Sequence, residues 1–313
     1  MATPNVAAID LGSNSCRLQI VGSDGSLLLR DSAQVRLSEG LAKTNTLTQE
    51  AINRGINCLS RFKEIMNTYG VEHYRAIATE ACRVADNGKQ FIQMVKEMTG
   101  ITIDIISAQE EAELTLKGAI LNADKNKKYV LVYDLGGAST EITLATNENK
   151  PKILYTTSIP LGARNGAEKF DILEYDADKT VLLQSEIRKY VRDFMINSEF
   201  LMYKTQCCNI ATSSTPLRLF SIAKNTEKYC KEYADGLKLS TKEIDSVIAG
   251  VLKMNYAELY ASPHIGANRA EIFIAACTIF QTIYQTLELD DLTASLKSAQ
   301  EAIINELRQQ WQN

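Results

Sequence analysis

The chain has 313 residues, 45% hydrophobic and 23% charged, with a formal net charge of −4; this describes a globular protein with room for two domains and excludes extensive disorder. The negative balance gives no general attraction for polyanions, and no basic stretch interleaved with aromatics marks a nucleic-acid reader. Seven cysteines without a Cys-x-x-Cys pair read as reduced thiols, and the two histidines, His73 and His264, argue against a His-ligated zinc site, an HD-type phosphohydrolase or a Ser-His-Asp triad. The longest apolar stretch, near Ile272 to Phe280, is far too short to span a membrane, and the start lacks signal-peptide character. The expectation is a cytoplasmic protein that binds neither membrane nor nucleic acid.

In chain order, strand-like runs fall at Val6 to Leu11, Arg17 to Val21, Leu27 to Val35, Arg75 to Ala78 and Ile101 to Ile106. Helical patterns lie among them at Thr48 to Tyr69, Gly88 to Met98 and Ala108 to Leu121, the first with a Thr N-cap and Glu50 in its first turn. The polar run Asn122 to Lys128 predicts a domain boundary. Beyond it come strands at Tyr129 to Asp134, Glu141 to Ala145 and Lys152 to Ser158, then helices at Asp176 to Asn197, Ser213 to Asn225, Ser240 to Leu259, Ala267 to Leu287 and Leu292 to Trp311, with a strand at Cys208 to Ala211. The reading is an α/β protein of two lobes, 1–124 and 125–292, with a helix in 293–313 returning to the first.

One phrase is written twice: Ala8-Ile9-Asp10-Leu11-Gly12-Ser13-Asn14-Ser15 and Val132-Tyr133-Asp134-Leu135-Gly136-Gly137-Ala138-Ser139. Each copy reads as a buried strand, an Asp where the strand ends, a turn of small residues and a second strand. Such turns let backbone N–H groups converge on phosphate oxygens, and a strand-end carboxylate can hold Mg²⁺ directly or through water. Neither copy is a P-loop, because no Gly-Lys-Ser/Thr follows. Three more segments have matching chemistry. Thr79 to Arg83 puts an Arg just past a strand end, Glu110 and Glu111 open a helix, and Gly162 opens another whose N-terminus can accept an anion. Taken singly, the two acids serve equally as helix-dipole partners and the Arg as a solvated charge.

The ordered set Ile9-Asp10-Leu11-Gly12-Ser13-Asn14-Ser15, Val35-Arg36-Leu37 with Gly40-Leu41, Ala78-Thr79-Glu80-Ala81-Cys82-Arg83, Ser107 with Glu110-Glu111-Ala112, and Asp134 to Glu141 resembles the exopolyphosphatase/guanosine pentaphosphate phosphatases (Ppx/GppA) of the actin, sugar kinase and Hsp70-like superfamily. The resemblance is to the short two-domain form. It implies two ribonuclease-H-like lobes with the active site between them, and release of terminal phosphate from inorganic polyphosphate or guanosine pentaphosphate with Mg²⁺ or another divalent cation. Carried onto this sequence, Glu111 is the expected general base and Glu141 a second catalytic acid. Asp134, Asp10 and Glu141 are the expected metal-side carboxylates, and Ser13, Asn14, Ser15, Arg83, Gly136, Gly137 and Ser139 the expected phosphate contacts. A homodimer is the candidate assembly.

The chain departs from the family pattern at Ala138, where a third Gly is expected, and at Arg164-Asn165, where Asn165 takes the usual place of an Arg. It departs again at Thr212-Ser213-Ser214, where a Gly-Thr turn is expected, and at Ala275-Ala276, where a Gly is expected downstream of Asn268-Arg269-Ala270-Glu271. These changes favour polyphosphate over a guanosine substrate. A non-catalytic nucleotide- or alarmone-binding regulator is the alternative of a different class.

Overall fold

Val6-Ala7-Ala8-Ile9 has no polar side chain, and in the computed structural model, which describes residues 4–310, it lies wholly buried within β1 (Val6–Leu11). Such a continuous apolar run is what a strand covered on both faces requires. β1 pairs antiparallel with β2 (Ser15–Val21), and β2 with β3 (Leu27–Gln34); on its other side β1 runs parallel to β4 (His73–Ala78), followed by β5 (Asp104–Ile105). The order is β3-β2-β1-β4-β5. Alternation along β1 sends Ala7, Ile9 and Leu11 into a core with the helices Gln49–Thr68 and Gly88–Thr99, and Val6 and Ala8 toward Ala299, Ala302, Ile303 and Ile304. The helix Gln49–Thr68 starts where Thr48 Oγ1 accepts the Ala51 N–H at 3.2 Å, and Gly88–Thr99 stops at Gly100, which has φ 72°.

The same order recurs downstream. β6 (Tyr129–Leu135), β7 (Thr140–Thr146) and β8 (Ile153–Ile159) form a meander, β6 runs parallel to β9 (Cys207–Thr212), and β9 to β11 (Asp291–Ser295). A short β10 (Lys238–Ser240) is added at the edge, giving β10-β11-β9-β6-β7-β8. The core of this sheet is built on the helix Ala270–Thr286, which packs against the helices Ala163–Phe170 and Ala177–Asn197. Phe273, Phe280 and Tyr284 of that helix are at most 1% exposed, and truncating such a ring costs about 3–5 kcal/mol. Among the described residues no helix is long and apolar enough to cross a membrane.

The chain divides into two units, one of residues up to Leu114 with the segment from Ala299, the other Thr115–Ser298. The division falls inside the helix Ala108–Ala119, earlier than the expected 124/125, because Leu114 joins the core of the first unit and Leu116 that of the second.

Three expectations need correction. Leu292 to Trp311 is not one helix: β11 occupies its start and the helix is Ala299–Gln309, while Trp311 lies outside the described residues. Ser240 to Leu259 is two helices, Thr241–Val251 and Tyr256–Ala261, the second restarted by an Asn255 cap that accepts the Glu258 N–H at 3.0 Å. Ile101 to Ile106 keeps strand pairing only at β5.

Candidate active site

In the first unit, the Gly12 N–H donates to Ser15 O at 3.0 Å and closes a tight turn between β1 and β2. A Cβ on Gly12 would meet that oxygen at 3.2 Å. The turn's carbonyls are claimed from behind: Ser13 O accepts Ser38 N at 3.0 Å, and Asn14 O accepts Val35 N at 3.1 Å and Arg36 N at 3.0 Å. Side chains tie it further. Ser13 Oγ accepts Ala81 N at 3.2 Å, Asn14 Nδ2 donates to Gln34 Oε1 at 2.8 Å, and Ser15 Oγ accepts Gln34 Nε2 at 3.3 Å. The side chains of Asn14 and Ser15 are thus both tied to Gln34.

Asp10 stands opposite Arg17 in the β1–β2 ladder, with Arg17 Nη1 3.4 Å from Asp10 Oδ2. Burial pushes the Asp10 carboxyl up from its ordinary value, and Arg17 opposes that shift. Asp10, an expected metal ligand, already has a cation beside it.

Arg83 and Glu111 are brought together. Arg83 donates from Nε to Glu80 Oε2 at 3.0 Å and from Nη2 to the same oxygen, while its Nη1 reaches Ile106 O at 2.8 Å and Glu111 Oε2 at 3.1 Å. With five N–H groups per guanidinium, most of the fork is spent inside the protein. Burial works against the Arg83 charge, but Glu111 and Glu80 outweigh it and raise its pKa. The side chain expected to grip phosphate thus fixes the expected base. Its neighbour Glu110 diverges to Arg75, which also binds Glu306. The helix-start geometry is common to both acids, since Ser107 receives both N–H groups, Glu110 on Oγ at 3.1 Å and Glu111 on O at 2.9 Å.

The second unit repeats the turn. Gly136 N donates to Ser139 O at 3.0 Å, between β6 and β7. In the ladder, however, Asp134 faces Glu141, and Glu141 in turn faces Ser158, whose Oγ donates to Glu141 Oε1 at 2.8 Å. Glu141 is 5% exposed. Among the described residues no group of three or more His, Cys, Asp or Glu side chains gathers as a ready metal cage. Two facing carboxylates nevertheless suit Mg²⁺, which usually takes one or two protein carboxylates and completes its shell with water and substrate phosphate. The oxygen donors at Asp134 and Glu141 fit that ion.

The helix Ala163–Phe170 does not present a free N-terminus, which corrects the expectation of an anion site after Gly162. Its first amides are taken by the hairpin turn: Ala163 N donates to Gly136 O at 2.9 Å, Arg164 N to Gly137 O at 2.7 Å and Asn165 N to Gly137 O at 3.2 Å. A Cβ on Gly162 would lie 2.6 Å from Gly137 C and 2.7 Å from Ala138 N, so only glycine permits this approach. Arg164 turns away to carboxylates, 3.7 Å from Glu168 and 3.6 Å from Glu271. At the altered turn after β9, Thr212 is the ladder partner of Asp134, and Ser213 keeps a glycine-like backbone with φ 93° and ψ −179°. Arg17, Glu80 and Ser158 escaped sequence reasoning. For Arg17 and Ser158 the signal was a strand register, legible only once Asp10 and Asp134 are laid in equivalent ladders; for Glu80 it was the three-residue helical spacing to Arg83.

A model described as the Ppx/GppA phosphatase family matches residues 19–310. The chain is 28% identical over 305 residues to a bifunctional 3-dehydroquinate synthase/phosphatase of Fusobacterium nucleatum, covering 92% of this chain and 44% of that protein. It is 36% identical over 171 residues to a guanosine-5'-triphosphate,3'-diphosphate pyrophosphatase of Vibrio vulnificus, covering 54% of this chain and 34% of the other. The chain therefore spans less than half the length of these curated relatives. A crystal structure of an exopolyphosphatase from Cytophaga hutchinsonii superposes with a TM-score of 0.86 at 21% identity, covering 98% of both chains. The fold is thus the two-lobed, actin-like α/β arrangement of such proteins.

Proposed function

This chain belongs to the Ppx/GppA phosphatase family, and from that premise we propose that it is a metal-dependent phosphoanhydride hydrolase releasing terminal orthophosphate from inorganic polyphosphate. The observation that carries the reading is the repeated turn, Gly12 N to Ser15 O and Gly136 N to Ser139 O, each beside a strand-end Asp and each with its carbonyls held from behind. Two amide-lined turns suit a ligand whose every unit is a phosphate.

Each group has a role in the proposed reaction. The carboxylate of Glu111, steadied by Arg83, takes a proton from the attacking water. The water oxygen bonds to the terminal phosphorus, the bridging P–O bond breaks, and the shortened chain leaves with the bond's electron pair on its oxygen. Asp134 and Glu141 would hold Mg²⁺, which when bound neutralises phosphate oxygens. The amides after Gly12 and Gly136 orient the chain, and the remaining Arg83 N–H is available to it.

The second reading, a 5'-phosphohydrolase of guanosine pentaphosphate, is favoured by the 36% identity to the Vibrio vulnificus protein. The test is orthophosphate release with Mg²⁺ from short and long polyphosphate, guanosine pentaphosphate and ATP, with Glu111→Gln as control. Loss of a general base should slow release by about a hundredfold or more, while circular dichroism shows the variant still folded. Release from guanosine pentaphosphate alone selects the second reading. Thermal stabilisation by these ligands without any release would make the protein a regulator instead.

A further inference from the structure

Three consecutive carbonyls of the second turn are received by one helix start. Gly136 O and Gly137 O take the backbone amides of Ala163, Arg164 and Asn165, and Ala138 O accepts Asn165 Nδ2 at 2.7 Å. The same Nδ2 donates to Pro160 O at 3.1 Å, and Asn165 Oδ1 accepts the Gly162 N–H at 2.7 Å. One side chain thus fastens the turn, the segment leading into the helix and the first residue before it.

The consequence follows from peptide geometry. No cis peptide occurs among the described residues, and in a trans peptide the N–H points opposite to the C=O. Fixing the carbonyls of 136, 137 and 138 on the helix side therefore turns the N–H groups of Gly137, Ala138 and Ser139 to the other side. Among the described residues none of these three N–H groups has a protein acceptor. The positive end of the helix reinforces them by polarising the peptides whose carbonyls it binds.

We infer that Asn165 is a positioning residue: it sets the 136–139 turn so that three successive amides receive the oxygens of one phosphate group. The inference deepens the proposed hydrolase reading and rests on it for the identity of the ligand. Asn is suited because the position needs an acceptor and two donors on one short side chain, whereas the Arg expected from the family pattern supplies donors only.

The test is a titration of the ¹⁵N-labelled protein with inorganic phosphate, alongside the variants Asn165→Ala and Gly162→Ala. In the unsubstituted protein the amide resonances of Gly137, Ala138 and Ser139 should move together and saturate. Asn165→Ala should weaken phosphate binding about tenfold or more, the usual scale for hydrogen bonds to a charged group, with the Ala138 and Ser139 responses lost first. Gly162→Ala should do the same with Asn165 intact, because its Cβ pushes the helix start off the turn. A merely structural role would lower the melting temperature but leave phosphate affinity and the three responses unchanged, which would overturn the inference. If neither variant folds, the titration of the unsubstituted protein decides, and three unmoved amides refute it. Responsive amides in a protein that hydrolyses nothing would defeat the hydrolase reading and leave this one standing.

Discussion

In the ladder row that carries the strand-end Asp, the two hairpins differ in kind at one position. Across β3, β2 and β1 the row reads Ser32, Arg17, Asp10; across β8, β7 and β6 it reads Ser158, Glu141, Asp134. The turn bond is 3.0 Å in both. A single change of sign, Arg for Glu, separates a row that is neutral in itself from one that carries two carboxylates. The tight turn is thus shared, and the two rows differ in charge, one pairing Asp10 with Arg17 and the other Asp134 with Glu141.

Matched neutralisations would break or sharpen this contrast. Glu141→Gln should raise the Mg²⁺ concentration needed for half-maximal phosphate release by at least about tenfold; an unchanged requirement would remove the second row from metal binding. Arg17→Gln should leave the Mg²⁺ requirement where it is but lower stability in denaturant by roughly 1–3 kcal/mol, since Asp10 loses its partner. The same variant has a pH signature. Burial raises the folded-state value of Asp10 above 3.8, so its contribution to stability is greatest below 3.8 and declines as pH rises through the folded value. Without Arg17 that value climbs further, and the decline should extend to higher pH. An identical pH profile would separate Asp10 from Arg17. The smallest effect concerns the turn beside Asp134: Ser213→Gly should stabilise the protein by about 1 kcal/mol, because φ 93° with ψ −179° is a glycine conformation. A lower melting temperature would show that the serine side chain contributes more than its backbone costs.

The hairpins were legible because their information is local. β1 runs from Val6 to Leu11 as its apolar pattern predicts, and the Asp-Leu-Gly phrase marks both turns. β11 was not legible: Asp291-Leu292-Thr293-Ala294-Ser295 has one β-branched residue and is extended because it lies parallel to β9, a tertiary preference that overrides local propensity. In the candidate site the acids could be named, but not their partners. Glu110 and Glu111 are adjacent in sequence and look alike; only the folded chain sends one to Arg75 and the other to Arg83. Asn165 was visible as a departure, yet its bonds to Ala138 and Pro160 depend on how closely Gly162 approaches the turn.

The first unit is discontinuous in sequence, with Thr115–Ser298 inserted before the segment that completes it. On the ribosome, therefore, the inserted unit has all its residues first. Until the helix Ala299–Gln309 emerges, Val6, Ala8 and Ile77 have no cover from Ala302 and Ile303, and Ala8 O lacks the 3.1 Å bond from Gln300 Nε2. The strand that carries Asp10 is thus made before the inserted unit, yet part of its cover is made only after that unit.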